Sequence, residues 1–456
     1  MSFRSMKALL LACAGVGTLV AATVDANAGG FALREQSAEG QGSSFAGVAA
    51  GGALSSMFWN PATMTQMPGI QSESVLSGII PVETHTATTS TYGGFPFGFP
   101  TTAGDSGNDA LVPAGYFSWQ VNPQLWLGMS VNSPVGLSVS FPDNWAGRNY
   151  AADTSLKTYN ATPSIAYQIN NWISVGAGVQ IQYAKTDLST GLPINGLGNP
   201  FAPLGNQVNI SGNGWGYGFT AGVTLTPTPT TTIGIGYRSA INQKISGTMT
   251  LPAGIAFTPI AGSTPGSVST TLNLPDVVSV GIRQRLTSQW MLLGTVEWSN
   301  WSRIGTSTVV QANGAPATIV GNAVALPFQY SDGWFYSLGT EYQWNPQLAL
   351  RAGIGFEKSP ITDQVRTPRL PDNDRTWLSL GASYQVTKKL GLDFAYSHLF
   401  VKSTPINISA GSGNPWFNGI TYVGDVSSHV DIISVALKYR WDDPAPPVKQ
   451  GYFKAK

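Results

Sequence analysis

Long runs of this chain alternate residue by residue between apolar and polar side chains, and the charges keep to one of the two faces. Over 172–184, Ile173, Val175, Ala177, Val179, Ile181 and Tyr183 share one face, while Ser174, Gly176, Gly178, Gln180 and Gln182 share the other. Leu348, Leu350, Ala352, Ile354 and Phe356 oppose Arg351 and Glu357; Leu390, Leu392, Phe394 and Tyr396 oppose Asp393. Ile433, Val435, Leu437 and Tyr439 oppose Ser434, Lys438 and Arg440. A period of two is the signature of a β-strand. Several runs reach about ten residues, the length of a tilted transmembrane strand and well beyond the soluble mean of about 5–6. They end in Trp or Tyr, as strands do at a membrane interface. A Lys or Arg on a lipid-facing strand near midplane costs roughly 2–4 kcal/mol, so a transmembrane barrel demands this segregation. A soluble β-sandwich also alternates, but charged residues are 10% of the chain against about 25% in soluble domains. After the first 28 residues, no stretch of about 18 apolar residues offers a membrane helix.

Those first residues define the compartment. Arg4 and Lys7 form a basic start, Ala8 to Val24 is mostly small or apolar, and Ala26-Asn27-Ala28 supplies a small-x-small cleavage pattern. Residues 1–28 therefore read as a secretory signal peptide. Cleavage removes Cys13, the only cysteine, leaving no disulfide, thiol ligand or thiol nucleophile. The chain's 24 basic and 23 acidic residues lose two and one with the leader and come out balanced. No basic field for nucleic acid remains.

The expected fold is all-β: a transmembrane antiparallel barrel over 71–441 with about fourteen strands, an even number as single-chain bacterial barrels require. The candidates lie at 71–86, 110–121, 124–140, 155–170, 172–187, 213–227, 231–250, 268–287, 289–311, 327–344, 347–360, 373–386, 389–404 and 427–441. Short turns at Asn122-Pro123, Asn170-Asn171, Asn345-Pro346 and Thr387-Lys388 alternate with long Gly/Pro/Thr-rich loops at 87–109, 188–212, 251–267 and 405–426. The short turns should be periplasmic and the long loops extracellular. Asn132-Ser133-Pro134-Val135-Gly136 breaks the third strand: Pro134 cannot donate to a ladder and Gly136 leaves room beside it. Met291 and Leu293 share a face with Glu297, so the lumen is not uniformly polar; packing against a plug and lining a ligand pocket both account for them. The tail, 442–456, is Pro- and Lys-containing and reads as an extended overhang.

Between leader and barrel, Gly29 to Pro68 reads GGFALREQSAEGQGSSFAGVAAGGALSSMFWNPATMTQMP. This block resembles the N-terminal hatch of the outer-membrane long-chain fatty-acid transporter family, the FadL type. So do SPVGLSVSFPDNWAGRNYAA (133–152), GNGWGYGFTAGVTL (212–225), IGYRSAINQKISG (235–247), LNLPDVVSVGIRQRL (272–286) and FEKSPITDQVRTPRLPDNDRTWLSLGASY (356–384). The resemblance implies a fourteen-stranded barrel, a hatch over 29–70 inside the lumen, and passive uptake of hydrophobic molecules with lateral release through a gap at the third strand. It assigns Phe31 to the ligand pocket, Asn60, Pro61 and Ala62 to the hatch motif, and Ser133, Pro134 and Gly136 to the gap. On spacing alone, Asn60-Pro61 is equally an ordinary turn, and the break at Pro134 equally a bulge without function.

Fatty-acid members carry basic side chains in the pocket, whereas the two matching stretches here read Asp187-Leu188-Ser189-Thr190 and Val324-Ala325-Leu326-Pro327. Lys185 is the nearby substitute. A chain of about 16 methylenes gains on the order of 10 kcal/mol from burial at ~0.8 each, against about 8 kcal/mol for micromolar affinity. Neutral or aromatic hydrocarbons are therefore an alternative cargo. His85, His398 and His429 show no metal spacing, and no nucleophile elbow or P-loop occurs. A lipase-like barrel enzyme and a general diffusion porin are the rival classes. No enzyme activity and no cofactor are expected. The expected partners are a hydrophobic ligand, outer-membrane lipid and the barrel-assembly machinery, with a monomeric barrel in the bacterial outer membrane.

Overall fold

The computed structural model describes residues 30–192, 207–251, 263–319 and 322–443. The leader, Cys13 and the tail beyond 443 lie outside the described residues. Fourteen antiparallel strands close on themselves. They are β1 (Ile70–Tyr92), β2 (Ala110–Asn122), β3 (Leu125–Asn132 and Gly136–Val139), β4 (Thr154–Gln168), β5 (Ile173–Gly191) and β6 (Gln207–Thr228). Next come β7 (Thr231–Arg238 and Ile241–Thr250), β8 (Gly266–Leu274 and Val277–Arg285), β9 (Trp290–Ser299) and β10 (Gly333–Gln343). The last are β11 (Leu348–Lys358), β12 (Arg375–Gln385), β13 (Leu390–Val401) and β14 (Ile420–Arg440). Closure is a ladder from Gln71↔Arg440 to Tyr92↔Ile420 with one register shift between Ala87 and Thr89, clasped where Trp441 Nε1 donates to Ser72 Oγ at 3.0 Å. In lipid no open edge survives, because unpaired backbone groups have no water to bond.

The tight turns at one end share one device. The side-chain oxygen of Asn122 accepts from the amides of Gln124 and Leu125, that of Asn170 from Trp172 and Ile173, and that of Asn345 from Gln347 and Leu348. Thr387 does the same for Lys389 and Leu390. Each side chain thus fills the place of a backbone acceptor, as Asn and Thr do in tight turns.

The wall is apolar outside and polar inside. Ile354 is 51% exposed and Leu380 62%, whereas Arg351 and Ser379 on the opposite face are buried. Exposed Trp290, Trp344 and Tyr384 ring the short-turn end, and Trp334, Tyr336 and Phe400 ring the other. Residues 334–342 of β10 separate the rings by roughly 26 Å along the strand at ~3.3 Å per residue, or about 20 Å of height at the usual strand tilt of about 35–45°.

Residues 30–68 run inside this ring as a short α-helix (Ala38–Gln41) and three 3-10 helices (Val48–Ala50, Leu54–Phe58, Pro61–Gln66). Ser37 caps the first through Gly40 N at 3.0 Å, and Asn60 caps the last through Ala62 N at 3.0 Å. Wall glycines let this backbone approach closely. A methyl on Gly234 of β7 would sit 1.8 Å from Ala49 O, and one on Gly353 of β11 would sit 2.2 Å from Ser43 C.

Several boundaries differ from the sequence expectation. The ninth strand ends at Ser299, and a 3-10 turn, Trp301–Ile304, leads inward instead of continuing to 311. β1 and β14 run past 86 and start before 427, pairing as far as Tyr92↔Ile420. Thr404–Ile408, of which 405–408 were expected in a loop, pairs with β14. These extensions lie at the long-loop end, where Thr, Ser and Gly mask the alternation. Gly234→Val should loosen the inner segment around Ala49 while the barrel stays closed, since overpacking costs about 1–3 kcal/mol. The check is a rise in single-channel conductance with unchanged heat-modifiable mobility on a gel.

Candidate ligand chambers and the opening in the wall

The interruption in β3 has a definite geometry. Asn132 pairs with Asn160 of β4 and Gly136 with Lys157, so β3 carries one more residue than β4 across the break. This is a bulge. Val135, at its centre, is held by the Thr158 hydroxyl, which accepts from Val135 N at 3.0 Å and donates to Val135 O at 2.6 Å. On the other side β2 pairs with β3 only as far as Gly115↔Val131, so residues 110–114 and 132–138 face each other without a ladder. The ladder between β2 and β3 is interrupted here.

The inner segment fills that edge. Leu33 N donates to Pro134 O at 2.9 Å and Gly136 N donates to Phe31 O at 2.9 Å, with Ala32 bridged antiparallel to Val135. Below them, Gln36 Nε2 donates to Ser133 O at 3.0 Å, while the Tyr116 hydroxyl donates to Gln36 O at 2.6 Å and accepts from Asn132 Nδ2 at 2.7 Å. Ser133, Pro134 and Gly136 are thus brought together with the start of the inner segment.

Two cavities flank Phe31–Ala32. The first, about 840 Å³, lies toward the long-loop end and is walled by Phe31, Leu137, Leu156, Ile245, Leu272 and Phe328. The second, about 730 Å³, includes Ala32, Pro134, Val135, Gln180, Arg238 and Trp301. Phe31 is edge-on to Trp301 at 5.8 Å and to Phe328 at 5.6 Å, and tilted to Tyr330 at 6.1 Å. None of these three partners was singled out from the sequence; Trp301 enters through the inward 3-10 turn after β9.

Asn60, Pro61 and Ala62 lie elsewhere. Asn60 Nδ2 donates to Ala49 O at 2.8 Å and to Val223 O at 2.9 Å, and Pro61 and Ala62 press on Gly176 of β5. They moor the inner segment to the wall and line neither cavity. Lys185 is on the outward face of β5, its side chain 60% exposed and 3.8 Å from Asp187, and it does not reach the cavities. Its parity with Ile181 and Tyr183 already places it outside. The two stretches without Lys or Arg do arrive: Leu188 and Leu326 line the first cavity. Leu293 packs against Gly47 of the inner segment.

Ion pairs of both signs tie the inner segment to the barrel. Arg34 meets Glu297 at 2.8 Å and Glu357 at 3.5 Å, and stacks 3.8 Å over Phe335. Glu39 meets Lys438 and, at 3.5 Å, Arg351, which also holds Glu341 at 2.8 Å. His398 and His429 stack at 5.7 Å on the outward face, with His398 Nδ1 2.8 Å from Asp431. His85 is buried against Glu83 at 2.7 Å. Among the described residues no group of His, Cys, Asp and Glu could hold a metal.

Fold and cavities together define a membrane β-barrel whose lumen is filled by its own N-terminal segment and whose free interior space is largely apolar. The family model described as "Outer membrane protein transport protein (OMPP1/FadL/TodX)" matches residues 19–441, and the chain belongs to this family of outer-membrane proteins. The long-chain fatty acid transport protein of Escherichia coli (strain K12) is 26% identical over 430 residues, 86% of this chain and 93% of its own. A Pseudomonas aeruginosa FadL homologue of known structure superposes with a TM-score of 0.79 at 25% identity, covering 91% of this chain and 100% of that one. The Pseudomonas putida toluene transporter TodX shares the fold, with a TM-score of 0.66 at 17% identity over 90% of this chain and 99% of its own.

Thr158→Val keeps the shape of that side chain but strands the N–H and C=O of Val135, at about 1–3 kcal/mol for each unsatisfied group. Hydrogen exchange in 131–139 should accelerate while that in 173–187 stays unchanged. Equal rates in both would deny Thr158 this role.

Proposed function

We propose that the protein carries hydrophobic small molecules passively across the outer membrane. They enter the first cavity from outside, pass Phe31 to the second, and leave sideways into lipid through the window between β2 and β3. The observation that carries this reading is the pairing of Phe31–Leu33 with Pro134–Gly136. One short segment both separates the two cavities and closes the window, so moving it connects the chambers to each other and to the bilayer. Breaking two backbone bonds is a modest step, since each contributes about 0.5–1.5 kcal/mol net. Arg34, Glu39 and Asn60 hold the rest of the inner segment, so only its first residues need move. Partition drives the transfer, with no cofactor and no bond chemistry.

The relatives named for long-chain fatty acids and for toluene frame the cargo as apolar molecules with or without a charged head. A lumen packed by residues 30–68 disfavours a general diffusion porin, which needs a wet, open constriction. Replacing Pro134 and Gly136 together by Val restores strand chemistry at the break. Cells carrying that variant should take up long-chain or aromatic hydrocarbon probes as slowly as cells lacking the protein. Undiminished uptake would rule out the lateral route.

A further inference from the structure

Lys185 has no place in the cavities, but it is not alone on the outside of the wall. In the ladder between β4 and β5 it stands directly opposite Lys157. Toward β6 it stands opposite Asn213, which in turn faces Ser246 of β7. Lys244, two residues before Ser246, is exposed on the same outward face. Two residues below Lys157 and Lys185 runs a row of aromatics. Tyr159 is opposite Tyr183, and Tyr183 is opposite Trp215, with the last two rings 5.1 Å apart. Below that row Val179, Ile181 and Phe219 are exposed outward.

The depth of this sector follows from β5. The strand starts at Ile173, beside Trp172, which is 52% exposed at the short-turn end. From Ile173 to Tyr183 it runs roughly 33 Å at ~3.3 Å per residue, or about 23–27 Å of height at a tilt of about 35–45°, the depth of an apolar band of about 25 Å. Tyr183 therefore marks the outer interface, where aromatic rings sit at headgroup level. Lys185 lies roughly 5 Å above it. The nearest acids stand farther out still. Asp187 is two residues above Lys185, at 3.8 Å, and Asp153 precedes β4 and accepts from Ser140 Oγ. The wall is thus layered in the order apolar, aromatic, basic, which is the order of chain, interface and phosphate in a lipid leaflet.

We propose that this sector of β4–β7 is a docking surface for an outer-leaflet lipid whose headgroup is a phosphorylated sugar. Its acyl chains lie along Val179, Ile181 and Phe219, and its phosphates are taken by Lys157, Lys185 and Lys244. Lysine suits the task, since its stem covers apolar wall while the ammonium reaches up to the anion. Like charges directly opposite across a ladder repel, and a phosphate set between Lys157 and Lys185 relieves that repulsion. Lys185 and Lys244 stand two strands apart, roughly 10 Å, so a headgroup with two separated phosphates serves both positions. Exposed Asn213, Thr248 and Thr271 around the lysines offer amide and hydroxyl partners to a sugar. The surface lies outside the cavities, so this lipid is a partner of the wall and not a cargo.

The test uses the full chain in nonionic detergent, with a fluorescent diglucosamine lipid carrying two phosphates (lipid A), the same lipid carrying one, and phosphatidylglycerol. Wild type should bind the bisphosphorylated lipid most tightly, and less tightly as salt rises from about 0.1 to about 1 M. Lys185→Gln with Lys244→Gln should weaken that binding about 10-fold, which is about 1.4 kcal/mol. Lys185→Arg with Lys244→Arg should keep it. Arg285→Gln with Lys388→Gln removes two exposed cations at the short-turn end and should change nothing. Heat-modifiable mobility on a gel reports that each variant barrel is closed. No loss in the Lys185/Lys244 variant of a closed barrel, or an equal loss in the Arg285/Lys388 variant, overturns the site. Phosphatidylglycerol binding as tightly as the bisphosphorylated lipid, with the same loss in the Gln variant, overturns the assignment to a phosphorylated sugar.

Discussion

The governing constraint is that lipid offers no partner to a backbone amide or carbonyl. A wall made of strands must close, and the ladder between β1 and β14 closes it. Closure turns the usual protein inside out, with Ile354 and Leu380 facing lipid and Arg351, Glu39 and Lys438 meeting in the interior. The interior must then be filled or wetted. Here residues 30–68 fill much of it, and wall glycines at 234 and 353 give their backbone room.

Against that constraint, a window between β2 and β3 is an exception that needs its own partners. The bulge at Val135 finds them in two places. The Thr158 side chain takes the group facing β4, and Phe31–Leu33 take Pro134 and Gly136 on the other edge. The inner segment thus acts as a strand substitute where β2 and β3 part. Mooring elsewhere is far stronger, through ion pairs of opposite sign at Arg34 and Glu39 and the amide of Asn60. The inner segment is thus a firmly held body with a weakly held leading edge.

Much of this was legible in sequence. Alternation revealed the strands, because charge is costly on the lipid face near midplane, and the Asn and Thr turn residues marked one end of the barrel. Proline and glycine marked the break in β3, since one removes a donor and the other a side chain. Lys185 was misread although its parity with Ile181 and Tyr183 put it on the outward face. Other features leave no local trace. Nothing near Ala32 announces Val135, and nothing near Phe31 announces Trp301, Phe328 or Tyr330; closing the cylinder brings them together.

The most direct test locks the leading edge to the wall. Ala32 and Val135 form a non-hydrogen-bonded antiparallel pair, a geometry that brings Cα atoms to about 4.5 Å, at the near end of the range a disulfide spans. Cysteines at both positions, in a chain whose only other cysteine is Cys13, should cross-link on oxidation. Uptake of a hydrophobic probe should then fall to the level of cells lacking the protein and return on reduction. Full uptake by the oxidised, cross-linked barrel would contradict the account.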